Sequence, residues 1–124
     1  MPKYMYSATY SPGSWARMMR IADDRVKAVR LLMESLGGSL EFTYWEVSAR
    51  AVFAVADLPD SSSAAAVAAV LSQSGAFKKV ETNEVLTQDQ FTGVLELADN
   101  VSEAYRVPGQ DLLEDDLSQS RFHR

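Results

Sequence analysis

Cysteine is absent from the 124 residues of this sequence, and histidine occurs once, at His123. Without cysteine the chain can form no disulfide bond, no thiolate nucleophile and no cysteine metal site. His123 is the second residue from the end of the sequence, where a side chain is rarely held rigidly enough for catalysis or metal ligation. No glycine-rich phosphate loop and no histidine–carboxylate metal cluster is recognisable. We therefore expect a protein that works without a metal or a tightly bound cofactor.

Basic residues are also few: the sequence has 12 lysines and arginines and 17 acidic residues, which gives a net charge of −5 and a pI of about 4.8. An acidic chain is a poor partner for nucleic acid or for an anionic membrane. Long hydrophobic runs are missing too: the segment MPKYMYSATY has no apolar run of signal-peptide length, and no segment approaches a membrane span. The sequence thus predicts a cytoplasmic protein with neither nucleic-acid nor membrane partners.

What the sequence does contain is a regular alternation of strand and helix patterns, in a length that fits one domain. Strands are predicted over residues 3–10, 39–47, 50–57 and 77–86. Helices are predicted within 23–38, 61–75 and 87–107. Asp23 or Asp24 is expected to cap the first of these helices, which Gly37 and Gly38 end. The segment SWARMMRIA, at 14–22, fits either a short helix or a structured loop.

The last predicted helix presents one apolar stripe, which is expected to dock on its own subunit or on a partner. The stripe consists of Phe91, Val94, Leu95, Ala98, Val101 and Tyr105. The domain is predicted to cover residues 1–106, this helix included, and to be followed by a charged, solvated tail over 107–124.

The order of elements, βαββαβ plus a final helix, predicts a ferredoxin-like α+β fold with a four-stranded antiparallel sheet. Both crossovers are expected to be right-handed and to connect parallel neighbours. Two long helices can cover only one face of the sheet, although aromatic and methionine side chains fall on both phases of the strands. An uncovered aromatic face would exceed the apolar patch of an ordinary soluble monomer, so we expect a homodimer that pairs sheet against sheet.

Five segments of the sequence resemble the GYD-domain proteins, a branch of the dimeric α/β-barrel superfamily. They are PKYMYSATYSPG, DDRVKAVRLLMESLGG, TYW, ADLPD and VETNEVLT, which together span about residues 2–90. The resemblance implies a dimeric α/β barrel. The wider superfamily includes cofactor-independent monooxygenases, cyclases and small-molecule-binding proteins. The Gly-x-Tyr-Asp signature that names the family is replaced here by Ser48, Ala49, Arg50 and Ala51. Roles that the signature residues serve in relatives therefore do not carry over to this chain.

The hairpin that contains Tyr44 and Arg50 is the first candidate for a functional site. Tyr44 matches a tyrosine of the family pattern, and we expect it in the barrel interior as an acid or hydrogen-bond donor. Arg50 is a candidate anion clamp, because guanidinium binds carboxylate or enolate oxygens in a bidentate manner. The alternatives are a core tyrosine bonded to a backbone carbonyl and a solvated turn arginine.

Further candidates for ligand binding share aromatic or polar side chains at strand positions or in the segment that follows the first strand. They are Tyr6, Trp15, Phe42, Trp45, Thr82 and Glu84. Each has a structural alternative, since aromatic residues in strands more often form the core and glutamate on an edge strand is often a solvated guard against aggregation. Tyr4 and Tyr10 are weaker members of the same aromatic group, with SPGSW as a possible lid over it.

Two classes of function fit these features. The first is a cofactor-independent enzyme that cyclises, dehydrates, isomerises or oxygenates a hydrophobic or aromatic intermediate of a biosynthetic pathway, with Tyr44 and Arg50 as catalytic residues. The second is a non-catalytic dimer that binds a small ligand or a partner in the same pocket. The identity of the ligand is not encoded in any motif of the sequence.

Overall fold

A computed structural model describes residues 1–109 and shows an α+β fold in that part of the chain. The strands are β1 Lys3–Tyr10, β2 Ser39–Glu46, β3 Ala51–Asp57 and β4 Phe77–Val85. The helices are α1 Pro12–Arg20, α2 Arg25–Ser35, α3 Ser61–Gln73 and α4 Gln88–Val101, followed by a short 3₁₀ turn at Ser102–Ala104. The predicted tail from residue 110 onward, with His123, lies outside the described residues.

The sheet has the strand order β2-β3-β1-β4, and every neighbouring pair is antiparallel. This order confirms the predicted ferredoxin-like fold. The expectation that each crossover joins parallel neighbours is wrong, because β3 lies between β1 and β2, and β1 lies between β3 and β4. The reason is the tight β2–β3 hairpin, which folds β3 back beside β1 and so separates the strands that each crossover connects.

Polar side chains fix where the helices begin. The Ser11 hydroxyl accepts a hydrogen bond from a backbone amide three residues later, and Pro12 occupies the first turn of α1. The segment at 14–22, which fitted either a short helix or a structured loop, is therefore a helix up to Arg20. Asp24 and Asp60 cap α2 and α3 in the same way, and Thr87 begins α4 with a complete capping box.

The core lies between one face of the sheet and helices α2 and α3. Alternate residues of β1 point into it, and Tyr4, Tyr6 and Ala8 are almost completely buried. Met33 of α2 and Val67 of α3 are fully buried against this face. The predicted strand alternation is therefore present, and helix packing decides which phase of each strand faces inward.

The opposite face of the sheet carries the other phase of the strands. Strand pairing places Phe42 opposite Val55 and Tyr44 opposite Phe53, so these four side chains share that face with Met5. Phe42 and Tyr44 are 39% and 67% exposed in the single chain, and their ring centroids are 5.3 Å apart. This face, defined by these five residues, is called the open sheet face below.

The chain divides into two compact units, the first from Met1 to Leu86 and the second beginning at Thr87. In the second unit α4 forms where a helix was predicted, but it ends at Val101, and Tyr105 of the predicted stripe lies beyond the 3₁₀ turn that follows. The side chains of the predicted stripe are exposed in the single chain. What surface the stripe docks on stays a prediction, as do the predicted domain limits of 1–106 and 107–124. No helix among residues 1–109 is long and apolar enough to cross a membrane.

Candidate ligand-binding site

Two cavities of the first unit lie beside helices α1 and α2, and they share two residues of their walls. The larger one, called the outer cavity, has a volume of about 290 Å³. Its walls are formed by Tyr10, Ser14, Arg17, Met18, Ile21, Asp23, Arg25 and Ala76. They come from the end of β1, from α1 and the link to α2, and from the residue before β4.

The smaller cavity, called the inner crevice, lies between the sheet and α2 and has a volume of only about 40 Å³. Its walls are formed by Tyr6, Ala8, Tyr10, Arg25, Val29, Met33, Thr43, Trp45, Val52, Ala54, Leu71 and Phe77. Tyr10 and Arg25 belong to both cavities. The two cavities therefore adjoin along these two side chains, and the outer cavity adds charged groups to walls that are mostly apolar.

An aromatic cluster surrounds Tyr10, which lines both cavities. The Tyr10 ring centroid is 4.7 Å from that of Phe77 and 5.8 Å from that of Trp15, both in tilted arrangements. The indole Nε1 of Trp45 donates a long hydrogen bond of 3.4 Å to the Tyr10 hydroxyl oxygen. Tilted aromatic contacts of this kind are favourable beyond simple burial, so the cluster gives the crevice a firm aromatic wall.

The hydroxyl oxygen of Thr43 is buried in the wall of the inner crevice and has no hydrogen-bond partner among the described residues. The Thr82 hydroxyl is also buried without a partner of good geometry among residues 1–109, but it lies opposite Tyr6, whose pKa burial raises and a side-chain hydrogen bond with Thr82 lowers in part, and it does not line the crevice. An unsatisfied buried polar group lowers stability by about 1–3 kcal/mol. Thr43 lines a cavity, and a buried hydroxyl without a partner beside a cavity is a place where a ligand or a bound water can supply the missing hydrogen bond.

Two arginines give the outer cavity its charge. The Nη2 atom of Arg17 donates a hydrogen bond of 2.9 Å to the hydroxyl of Ser14, a buried residue of α1. The Nη1 atom of Arg25 lies 3.1 Å from the Oδ2 atom of Asp23. The cavity walls thus hold two cationic side chains and one anionic side chain.

Tyr6 has a structural role in this arrangement. Its hydroxyl donates a hydrogen bond of 2.7 Å to the backbone oxygen of Ala64 in α3, and so ties the sheet to that helix. Burial is the largest cause that raises the pKa of Tyr6, because the charged phenolate is disfavoured away from water. The phenol therefore stays protonated and contributes its ring and its hydroxyl to the core.

The residues predicted as site candidates do not come together in one place. Strand pairing puts Tyr6, Trp45 and Thr82 on the helix-covered face of the sheet, with Glu84 on the same phase of β4. Tyr6 and Trp45 line the inner crevice, and Trp15 packs on the Tyr10 ring. The predicted lid SPGSW is the cap and first turn of α1.

The remaining candidates lie elsewhere. Phe42 and Tyr44 are on the open sheet face, and no hydrogen-bond partner of the Tyr44 hydroxyl is found among residues 1–109. Arg50 is exposed in the β2–β3 turn with a φ of 54°, the left-handed region, and its backbone oxygen accepts from the Tyr10 amide. Tyr44 lies on the sheet face away from α2 and α3, and its place in a barrel interior and the catalytic roles of Tyr44 and Arg50 stay predictions.

Among the polar residues that line the two cavities, sequence reasoning did not single out Arg17, Arg25 and Thr43 as binding residues. Arg25 belongs to a segment that supports the family resemblance, yet nothing in its spacing from Arg17 indicates that the two meet at one cavity. Thr43 is adjacent to the prominent Tyr44, and strand alternation places it on the other face. In the described part of the chain, no three acidic or histidine side chains come together in a way that could hold a metal ion.

Comparison with known proteins gives one family match. The family model described as the GYD domain matches residues 4–95, which include all four strands and the first three helices. The match runs through the β2–β3 turn, where Ser48, Arg50 and Ala51 replace the residues of the family signature. No curated protein matches the chain.

Proposed function

The chain belongs to the GYD domain family, whose ferredoxin-like fold is suited to small ligands, and from this premise we propose that it binds a small hydrophobic or aromatic molecule in the outer cavity and inner crevice. The observation that carries the proposal is Thr43, which lines the inner crevice and whose buried hydroxyl has no partner among residues 1–109. Small-molecule sites typically combine apolar walls with a few polar groups that orient the ligand.

The volumes of the two cavities indicate how a ligand would fit. The outer cavity, at about 290 Å³, is close to the lower end of the usual range for ligand pockets. The inner crevice, at about 40 Å³, has room for little more than one water molecule. A ligand whose body occupies the outer cavity and whose tip enters the crevice would have to displace side chains of the crevice wall, of which Trp45 is on an edge strand and 38% exposed.

A valine substitution tests this use of the crevice. Thr43→Val keeps the shape of the side chain and removes the unsatisfied hydroxyl, so the free energy of unfolding should rise by about 1 kcal/mol. If the hydroxyl serves a ligand, affinity should fall at the same time. The measurement pairs urea unfolding with a titration of the neutral probe 2-naphthamide, followed through fluorescence of the two tryptophans, Trp15 and Trp45.

Thr82→Val is the control, because Thr82 is a threonine of the same sheet face whose hydroxyl is also buried but which does not line the crevice. This variant should keep the affinity of the unchanged protein. Equal affinity in both variants would contradict a ligand contact at Thr43. Absence of probe binding to the unchanged protein would contradict the proposed function.

A second candidate function, cofactor-independent catalysis on a hydrophobic or aromatic biosynthetic intermediate, is favoured by Tyr44. Its side chain is 67% exposed on the open sheet face and its hydroxyl is without a hydrogen-bond partner in the described residues, so it is available to a substrate. In this proposal Tyr44 donates a proton or hydrogen bond and Arg50 stabilises the anion that develops. The cyclisation, dehydration, isomerisation or oxygenation named above would all use that pair.

Tyr44→Phe and Arg50→Met test the catalytic proposal against a purely structural role. Loss of one hydroxyl contact should weaken binding or slow turnover by about 0.5–1.5 kcal/mol for a neutral partner and by more for an anion. Thermal unfolding of both variants, measured beside turnover of candidate aromatic substrates, separates the two roles. If the two variants change thermal stability but not turnover, the hairpin has a structural role and the catalytic proposal is contradicted.

A further inference from the structure

We propose that the ligand is a small aromatic carboxylate, whose anionic group binds Arg17 and Arg25 in the outer cavity while its ring lies against Tyr10. This inference rests on the proposed function, because it names the chemical class of ligand for the same two cavities. It is carried by the charges of the outer cavity and by the position of Arg25 between that cavity and the inner crevice.

Arg17 is an exposed cation that is bonded to Ser14 and has no carboxylate partner in the described part of the chain. Its Nη2 atom is bound to the Ser14 hydroxyl at 2.9 Å, and no carboxylate lies within 4.0 Å of its guanidinium among residues 1–109. Ser14 is 7% exposed, so the contact that anchors the guanidinium belongs to the buried side of α1. A guanidinium has five N–H donors, and the bond to Ser14 uses one of them.

Arg25 supplies the second cation at the junction of the two cavities. Its Nη1 atom pairs with Asp23 at 3.1 Å, and its side chain is only 35% exposed. The ion pair fixes one end of the guanidinium, while Arg25 also lines the apolar crevice. An anion at this point would therefore be next to the aromatic wall, where a ligand ring can pack.

The balance of charge favours a monoanion. Two arginines and one aspartate leave the outer cavity with one net positive charge, although the whole chain carries −5. The positive cavity is thus a local arrangement and does not follow from overall composition. A carboxylate matches a single excess charge and the planar geometry of guanidinium, whereas a phosphate dianion would be left half neutralised.

The test compares a carboxylate with its neutral isostere. Binding of 2-naphthoate and 2-naphthamide to the full-length protein is measured by calorimetry at neutral pH and low salt. A charge-assisted hydrogen bond to arginine predicts that naphthoate binds at least about tenfold more tightly. Arg17→Met and Arg25→Met should each reduce this preference and leave naphthamide binding nearly unchanged, and Arg17→Lys should retain part of it.

Arg20→Met and Arg30→Met are the controls, since these arginines lie on the same two helices and line neither cavity. Both should keep the full preference for naphthoate. Equal binding of the two probes, or a preference that survives in Arg17→Met and Arg25→Met, would overturn the inference while leaving ligand binding itself intact. Failure of both probes to bind would instead count against the proposed function, and the inference would fall with it.

Discussion

At the scale of single residues, Gly38 shows how closely the first unit is packed at the connection between α2 and β2. The Gly38 and Gly37 amides bond back to the carbonyls of Met33 and Glu34, the pattern of a Schellman motif, and Gly37 has a φ of 80°. A Cβ atom at Gly38 would lie 2.2 Å from the backbone oxygen of Asp57. The absence of a side chain is therefore a packing requirement at Gly38.

We expect Gly38→Ala to lower the free energy of unfolding by about 1–3 kcal/mol, because backbone atoms of β3 must move to admit the new methyl group. Urea unfolding at equilibrium measures the change. Gly13→Ala is the control, since a Cβ atom there would meet only the flexible end of Arg17, at 3.6 Å. Similar stability losses in the two variants would show that the close approach at Gly38 is not the cause.

Glu46 organises the β2–β3 turn through its carboxylate. The Ser48 hydroxyl donates to it at 2.5 Å, and the amides of Ala49 and Ser48 donate at 2.6 and 3.1 Å. The Ser48 hydroxyl first, and then these amides, hold the pKa of Glu46 below its ordinary value of 4.5. The carboxylate is thus favoured in the folded protein.

The sign of the pH dependence follows from that shift. Because the pKa is lower in the folded state, the stabilisation by Glu46 is complete above pH 4.5 and is lost as the pH falls through the folded-state pKa. We expect Glu46→Gln to be less stable than the unchanged protein near neutral pH, and the difference to disappear in acid. Urea unfolding across this pH range measures it.

Ser48→Ala removes the largest cause of the shift, so Glu46→Gln should have a smaller effect when it is made in that background. A stability difference that stays constant down to strongly acidic pH would contradict the role assigned to Glu46.

At the scale of elements, the β2–β3 hairpin holds Arg50 in a conformation that its side chain disfavours. The Arg50 amide bonds to the carbonyl of Val47, and its φ of 54° lies in the left-handed region. That region costs a residue with a Cβ atom about 1–2 kcal/mol, whereas glycine adopts it freely and loses more chain entropy on folding. The glycine of the family signature aligns with Ser48, so the signature does not supply a glycine at position 50.

We expect Arg50→Gly to stabilise the protein by up to about 1 kcal/mol and Arg50→Val to destabilise it, because valine is the more strained at positive φ. Thermal unfolding of both variants gives the order. If Arg50 also contacts a ligand, Arg50→Gly should combine a higher melting temperature with weaker binding of anions. Equal melting temperatures for the two variants would contradict the strain at this position.

The elements themselves could be predicted because their signals are local. Caps, glycines and alternation placed the strands and long helices within a few residues of their observed ends, as at Asp24 and Thr87. The phase of β2 could not be predicted, since Phe42, Tyr44 and Trp45 give both of its faces aromatic side chains. Only the packing of α2 and α3 on one face decides which of them is covered.

At the scale of the whole molecule, the proposed site depends on contacts that no short stretch of sequence encodes. Arg17 of α1 and Arg25 of α2 line one cavity, and Ala76 completes its wall from a distant part of the chain. The aromatic half of the site was within reach of prediction, as Tyr6 and Trp45 show. The two arginines of the site could be recognised only from the folded structure.

The open sheet face leads to the last prediction, that the protein is a homodimer with two sheets packed face to face. Phe42 and Tyr44 leave aromatic surface exposed beside Met5, Phe53 and Val55, and a two-fold axis lets each copy cover the same patch of the other. We expect light scattering at micromolar concentration to return twice the chain mass. Tyr44→Glu should lower that mass toward the monomer, because it puts a charge into the buried patch without disturbing the core.

Leu31→Glu is the matched control, since Leu31 is 56% exposed on α2 and is not part of the open sheet face. It should leave the mass unchanged. A monomeric mass for the unchanged protein would contradict sheet-to-sheet pairing and, with it, any site that pairing completes around Tyr44. The outer cavity and inner crevice would stand in that case, because every residue of their walls comes from a single chain.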